Sequence, residues 1–305
     1  MAVAAKAKSL NLSDLGPITL RIGDSDSHHR WGGHVQHGYS GTPVTQLQTA
    51  LVAVGLLKKV DGGFGPGTQA AVKRFQWYGK NMDYRLKLAG PGAAPASGSI
   101  VTFSMSVACA SGTCDKALAA EILAWVAGNF VTTTPLVRLS LDDYDYVDTS
   151  DTFKILSYPS AQAGEILVHA DFTDAIGTLN DEAGKAKVNL KINQSFRNAD
   201  VPPSGAVVAP ASKSQHLVGH AVDLNIVDGD TTNTAAMFKS GDETDAADTF
   251  VDGVKAQHLR WGGDFGNSDP IHFDDFLNPS GEDYEMNYYF AQHCFHAQHP
   301  MRQVP

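Results

Sequence analysis

Ser214-Gln-His216-Leu-Val-Gly219-His220-Ala-Val-Asp223 is the stretch on which the reading of this chain turns. A histidine precedes a glycine corner, and strict alternation follows. Val222, Leu224 and Ile226 fall on one face of an extended segment, while Ala221, Asp223 and Asn225 share the other. Residues 220–227 are therefore expected as a strand with one apolar face and one face carrying polar chemistry. A second passage complements it: Trp261-Gly-Gly-Asp264-Phe-Gly-Asn-Ser-Asp269-Pro-Ile-His272-Phe-Asp274.

Two histidines, one carboxylate and an open fourth position make a catalytic zinc site. His216, Asp223 and His272 can supply that set, and Zn2+ is the expected cofactor. Asp269, three residues before the last ligand, is placed to act as the base on an activated water. Arg197, in Gln194-Ser-Phe-Arg197, is the candidate for holding a substrate carboxylate or a developing oxyanion.

Around this core the pattern is mixed α+β. Helices are expected over Asp115–Phe130, Asp171–Lys185 and Ala246–Lys255, and strands over Val188–Ile192, 220–227 and His258–Trp261. Further upstream, Val44, Leu47, Leu51, Val54 and Leu57 recur at helical steps behind Pro43. The turn Asp61-Gly-Gly-Phe-Gly-Pro-Gly-Thr68 leads to a second helix with Ala71, Val72, Phe75 and Gln76. Four segments follow from these signals. Residues 1–40 read as a polar N-terminal arm, 41–88 as a small helical domain, the Gly/Pro-rich stretch 89–99 as a linker, and 100–305 as the α+β domain.

Composition narrows the function classes. The chain has 305 residues, Lys+Arg 23 against Asp+Glu 33, and a net charge of −10. Nucleic acid is not an expected partner, because gripping phosphates takes clustered Lys and Arg. No apolar run is long enough for a membrane span. Three cysteines, Cys109, Cys114 and Cys294, exclude a full disulfide framework. Cys109 and Cys114 can close a small loop in an oxidising compartment, or can be plain loop residues. The chain holds 12 histidines; those at its ends, including His28, His29, His34, His37, His293, His296 and His299, read as polar surface.

The two passages together resemble a family of zinc peptidases that includes D-alanyl-D-alanine carboxypeptidases and L-alanyl-D-glutamate endopeptidases. The pattern Ser-x-His-x-x-Gly-x-Ala-x-Asp is met at Ser214, His216, Gly219, Ala221 and Asp223. Trp-Gly-Gly-Asp and acid-x-x-His are met at Trp261 to Asp264 and at Asp269 and His272. The resemblance covers about residues 165–276. It implies zinc on His216, Asp223 and His272, base duty for Asp269 (many members carry Glu there), and a substrate-polarising role for Arg197. Ser214, His220 and Trp261 are candidate substrate contacts, although His220 also reads as a half-exposed strand histidine. Asp264 is expected to pair with Arg260 or shape the turn, and Asp274 to be solvated.

Residues 42–78 resemble a small helical peptidoglycan-binding repeat, through Val44-x-x-Leu47-Gln48-x-x-Leu51, Gly55, Asp61-Gly62, Phe64-Gly65 and Phe75-Gln76. Trp77 and Tyr78 can stack on sugars or cap that domain. The resemblances imply a zinc peptidase cutting peptidoglycan stem peptides, with the L-alanyl-D-glutamate bond preferred over D-alanyl-D-alanine. The rival is a non-catalytic wall-binding protein with a structural zinc. The start Met1-Ala-Val-Ala-Ala-Lys-Ala-Lys lacks a secretory apolar core. The expectation is thus a protein made in the cytoplasm that reaches the wall by holin-type release, as an endolysin, or by a secretion apparatus, as an antibacterial effector. An effector would bring an immunity protein as partner.

Overall fold

The computed structural model describes residues 8–105, 111–153, 164–201, 212–294 and 302–304. It forms two compact units, Met1–Thr133 and Thr134–Pro305.

In the first unit Pro43 opens α1 (Pro43–Ala53), at a position where its missing N–H costs no helical bond. Val44, Leu47 and Leu51 are its buried face, and Gly55, at φ +86°, turns the chain out of the helix. α2 (Pro66–Asn81) buries Ala71, Val72 and Phe75. Gln48 ties both helices to the turn between them. Its side-chain oxygen accepts from the N–H of Asp61 (2.9 Å) and Gly62 (2.8 Å), and its amide donates to Asp61 Oδ1, the Gly63 carbonyl and Thr68 Oγ1. α3 (Lys116–Ala127) is capped by Asp115, which accepts from Leu118 N at 2.9 Å. Its Trp125 packs edge-on against Phe75, Tyr78 and Phe103. Trp77 and Tyr78 are buried, as the capping alternative expected.

Two segment expectations change here. The stretch 89–99 is not a linker but the connection of a hairpin, in which β1 (Tyr84–Leu88) pairs antiparallel with β2 (Gly98–Thr102). Gly, Pro and Ser serve a tight chain reversal as well as a spacer, so composition did not distinguish them. α3 and β3 (Phe130–Val131), paired to β1, extend this unit to Thr133 instead of ending it near residue 88. Nor are residues 8–40 a loose arm: Leu10, Leu12, Leu15, Leu20 and Trp31 are buried. Asp26 caps α1 from a distance, accepting from Val44 N (3.1 Å), Thr45 N (2.7 Å) and Trp31 Nε1 (2.9 Å).

The second unit opens with β4 (Leu136–Ser140), which stands apart from the unit's central sheet. The strand order of that central sheet is β9 (Arg260–Trp261), β10 (His272–Asp274), β8 (Ala221–Asp228), β7 (Asn189–Gln194) and β5 (Val147–Thr149), antiparallel apart from the β7–β5 pair. β4 instead pairs with β6 (Glu165–His169) and with Arg302–Val304 in a separate sheet. Val222, Leu224 and Ile226 of β8 share one core cluster with Ile176, Leu179 and Ala183 of α4 (Thr173–Ala186) and with Phe250, Val251 and Val254 of α5 (Asp245–Ala256). The apolar face of the alternating stretch is thereby consumed by helices. The polar face is left for the site.

Candidate metal centre

Cross-strand register assembles the centre. In the β8–β10 ladder Asp223 stands directly opposite His272, and residues opposite one another in an antiparallel pair point to the same side with Cβ atoms about 5 Å apart. His216 arrives from a 3-10 turn, Gln215–Leu217, ahead of β8. Gly219 makes that approach possible. It sits at φ +78°, and a Cβ there would fall 2.6 Å from His169 N and 2.7 Å from Leu136 Cδ2.

His216 Nε2 lies 3.0 Å from Asp223 Oδ1 and 3.1 Å from His272 Nδ1, which itself is 3.1 Å from Asp223 Oδ1. These are the only described His, Cys, Asp or Glu side chains that converge in a ligand-like group. The protons of both rings are engaged elsewhere. His216 Nδ1 faces the Ser195 carbonyl at 2.8 Å and must donate to it. His272 Nε2 faces the Asp274 carboxylate at 2.9 Å. The neutral rings therefore aim lone pairs, not protons, at a carboxylate oxygen. Three acceptors at one point call for a cation. A tetrahedral zinc with bonds near 2.05 Å would set its ligands about 3.3 Å apart, close to the spacing found, so the donor set fits such an ion.

The electrostatics agree. Burial alone would raise the Asp223 carboxyl, but the charges and hydrogen bonds of His216 and His272 hold it far below the usual carboxylate range. Burial would lower His272, yet its bonds to Asp223 and Asp274 and their charges hold it up at about 9.

Asp269 is half-buried at the edge of this group. Its N–H donates to the Gly262 carbonyl (2.8 Å), its carbonyl accepts from His272 N (3.0 Å), and its Oδ1 is buried with no hydrogen-bond partner among the described residues. Burial first, and the Asp223 charge second, raise its carboxyl above the ordinary value. Gly262 is required by the fold-back, because a Cβ there would collide with the Asp269 carbonyl. Arg197 is 7% exposed. Its N–H donates to the His216 carbonyl (2.9 Å), and its own carbonyl accepts from Gln292 Nε2 (3.0 Å). Burial pulls its guanidinium below the ordinary value while the Asp223 charge acts against that. No ion pair engages that guanidinium among the described residues.

Other candidates sit differently from expectation. His220 is not half-exposed but buried, with Nδ1 on the Asp275 carboxylate at 3.0 Å and its ring 4.3 Å from that of His169. Trp261 donates from Nε1 to the Pro270 carbonyl (2.7 Å) and packs edge-on to Phe238, so it fastens the 262–270 loop. Ser214 is half-buried, and its carbonyl accepts from Tyr284 Oη at 2.9 Å. Asp264 pairs with Lys255, not Arg260. Asp274 is not solvated: its side chain is 0% exposed and it holds both His272 and Arg260. Period-two alternation from His272 to Asp274 was the available signal for this, since it puts both side chains on one face. Cys114 is a buried free thiol and Cys294 is buried; Cys109, His296 and His299 lie outside the described residues.

The same two segments stand out against known proteins. Residues 208–275 match a family described as D-alanyl-D-alanine carboxypeptidase, and residues 40–79 match a putative peptidoglycan binding domain. A zinc D-Ala-D-Ala carboxypeptidase of Streptomyces albus G is 40% identical over 74 residues, which are 23% of this chain and 28% of that protein. The chain thus spans under a third of that curated relative. Among solved structures, the L-Ala D-Glu endopeptidase ChiX of Serratia marcescens is similar over 35% of this chain and 79% of its own, at 20% identity and a TM-score of 0.26. The segments that resemble the peptidase family and the wall-binding repeat are the segments these families match.

Proposed function

We propose that this chain is a zinc peptidase acting on peptidoglycan stem peptides, with residues 40–79 holding it at the wall. The observation that carries the reading is the convergence of three acceptor atoms from His216, Asp223 and His272, each imidazole proton being fixed elsewhere. A zinc ion bound there supplies Lewis acidity and brings the pKa of a coordinated water to about 7.

The chain's own residues do the rest. Asp269 accepts the proton of the attacking water as oxygen adds to the scissile carbonyl carbon, and then passes that proton to the departing amine nitrogen. Its carboxyl, raised by burial and by the Asp223 charge, holds a proton more readily than an ordinary carboxylate, which suits a group that must both take and give one. Arg197, whose guanidinium has no ion pair among the described residues, offers its charge to a substrate carboxylate or to the oxyanion. The wall-binding segment raises the effective concentration of the site at an insoluble substrate.

The preferred bond is L-alanyl-D-glutamate, on the Trp261-Gly-Gly-Asp264 and Pro270-Ile-His272-Phe passages. Digestion of purified wall followed by mass spectrometry tests it. New D-glutamate amino termini support the endopeptidase, and released D-alanine supports a carboxypeptidase. Wall binding without any cleavage would leave the non-catalytic reading standing. The proposed setting is an endolysin or a delivered effector, which a neighbouring holin or immunity gene would tell apart.

A further inference from the structure

The candidate ligands explain two side chains on the polar face of the sheet, Asp223 and His272. Two more on that face, Asp274 and Arg260, have no part in the chemistry above. Yet Asp274 is fully buried and every face of its carboxylate is bonded, while the Arg260 side chain beside it is partly exposed. The Asp274 carboxylate accepts from His272 Nε2 (2.9 Å), from Arg260 Nε and a terminal nitrogen (2.7 Å each), and from Phe276 N (2.9 Å). Register builds the row, because Asp274 stands opposite Arg260 on β9 and opposite Ala221 on β8. Ala221 is 0% exposed, and a larger side chain in that close cross-strand position would compete with Asp274 for room. Arg260 is held in turn between Phe265 and Phe276, 5.1 and 4.2 Å from their ring centres.

We propose that Asp274 and Arg260 form a positioning relay that holds His272 as an Nδ1 metal ligand. The inference rests on the metal reading of the preceding section. Asp274 can bond His272 only through Nε2, so the Nε2–H tautomer is enforced and the Nδ1 lone pair is kept toward Asp223. The full negative charge on the carboxylate makes that lone pair a stronger donor. Arg260 serves two ends. Its bidentate contact aligns the carboxylate plane, and its charge keeps a buried second carboxylate affordable beside Asp223. Asp274 touches neither the ion nor a substrate in this arrangement; it acts through His272.

The test is zinc affinity of the full chain, measured by competition with a chromogenic chelator, together with the tautomer of His272 from ring nitrogen–proton NMR correlations. Asp274→Asn keeps a side-chain oxygen but loses the charge, and is expected to weaken zinc binding about 10–100-fold and to lose the single Nε2–H signature of His272. Arg260→Gln is expected to weaken zinc less, with the tautomer retained. Far-UV circular dichroism checks the fold of each variant. If Asp274→Asn folds, binds zinc as wild type does and keeps the His272 signature, the relay is refuted. If Asp274→Asn does not fold, Arg260→Gln decides, and unchanged affinity there refutes it. Failure of the wild type to bind zinc would sink the peptidase reading itself, whereas wild-type binding with unaltered variants sinks only the relay.

Discussion

Asp26 and Asp223 are both poorly exposed carboxylates placed at the start of a regular element, one in each unit, and their surroundings differ in kind. Asp26 receives three N–H groups, from Trp31, Val44 and Thr45, and each has no use but to be paired. Asp223 faces two imidazole nitrogens whose protons point away from it, toward Ser195 and Asp274. The first arrangement is saturated and therefore structural. The second is short of a positive charge at its centre, and a buried polar group left incomplete by its own fold is where a ligand belongs. Asp24 in the first unit, accepting from Arg21 N, Gly32 N and Gly33 N, repeats the saturated pattern.

That contrast can be broken by experiment, and the largest effect belongs to the unsaturated site. His216→Ala is expected to remove about one zinc per chain, the stoichiometry of a single site, and to abolish wall cleavage. Metal analysis after dialysis checks it, and unchanged zinc would end the metal assignment. Asp269→Ala should keep its zinc yet lose about 10²–10⁴-fold in turnover, read from the rate of new amino termini. Equal rates would move base duty elsewhere.

A smaller effect concerns His169. Burial foremost, then the charge of His220, lowers this histidine from 6.5 to about 3, while its bond to Asn287 opposes them. The unfolded chain takes up a proton at His169 below pH 6.5 that the folded chain refuses. Stability contributed by the neutral ring is therefore complete above that pH and falls as pH drops toward about 3, by a few kcal/mol at most. Thermal melts across that window should show the slope in wild type and a flatter one in His169→Gln.

Asp26→Ala should cost roughly 1–3 kcal/mol by stranding buried donors, while leaving zinc stoichiometry intact. If it lowered zinc content as His216→Ala does, the distinction between structural and functional carboxylates would fail. The Lys255–Asp264 pair is the floor of the scale. With side chains 39% and 54% exposed, Asp264→Ala is expected to change stability by less than about 0.5 kcal/mol.

Much of the centre was legible because its parts are local. Alternation placed Asp223 opposite the apolar face of β8, and the ligand spacing with Gly219 between His216 and Asp223 announced a turn into a strand. Asp274 and Arg260 were harder. Each looks like an ordinary surface charge in one dimension, and only the β9–β10 register makes them a pair. His220 failed for the opposite reason. It precedes β8 instead of lying on it, and Asp275 and His169 close around it from segments far away in the chain.

By itself the sequence determined that there would be an α+β segment carrying His216, Asp223, His272 and Asp269, and a pair of helices ahead of it. Periodicity and turn chemistry are short-range properties, and they were sufficient for that. Only the tertiary structure decided that residues 8–40 and 89–133 build one unit with those helices, because hairpin pairing and long-range capping are contacts that composition does not encode. It alone decided which lone pairs meet. A proton on His216 or His272 goes wherever the nearest buried acceptor stands, and the fold put Ser195 and Asp274 there.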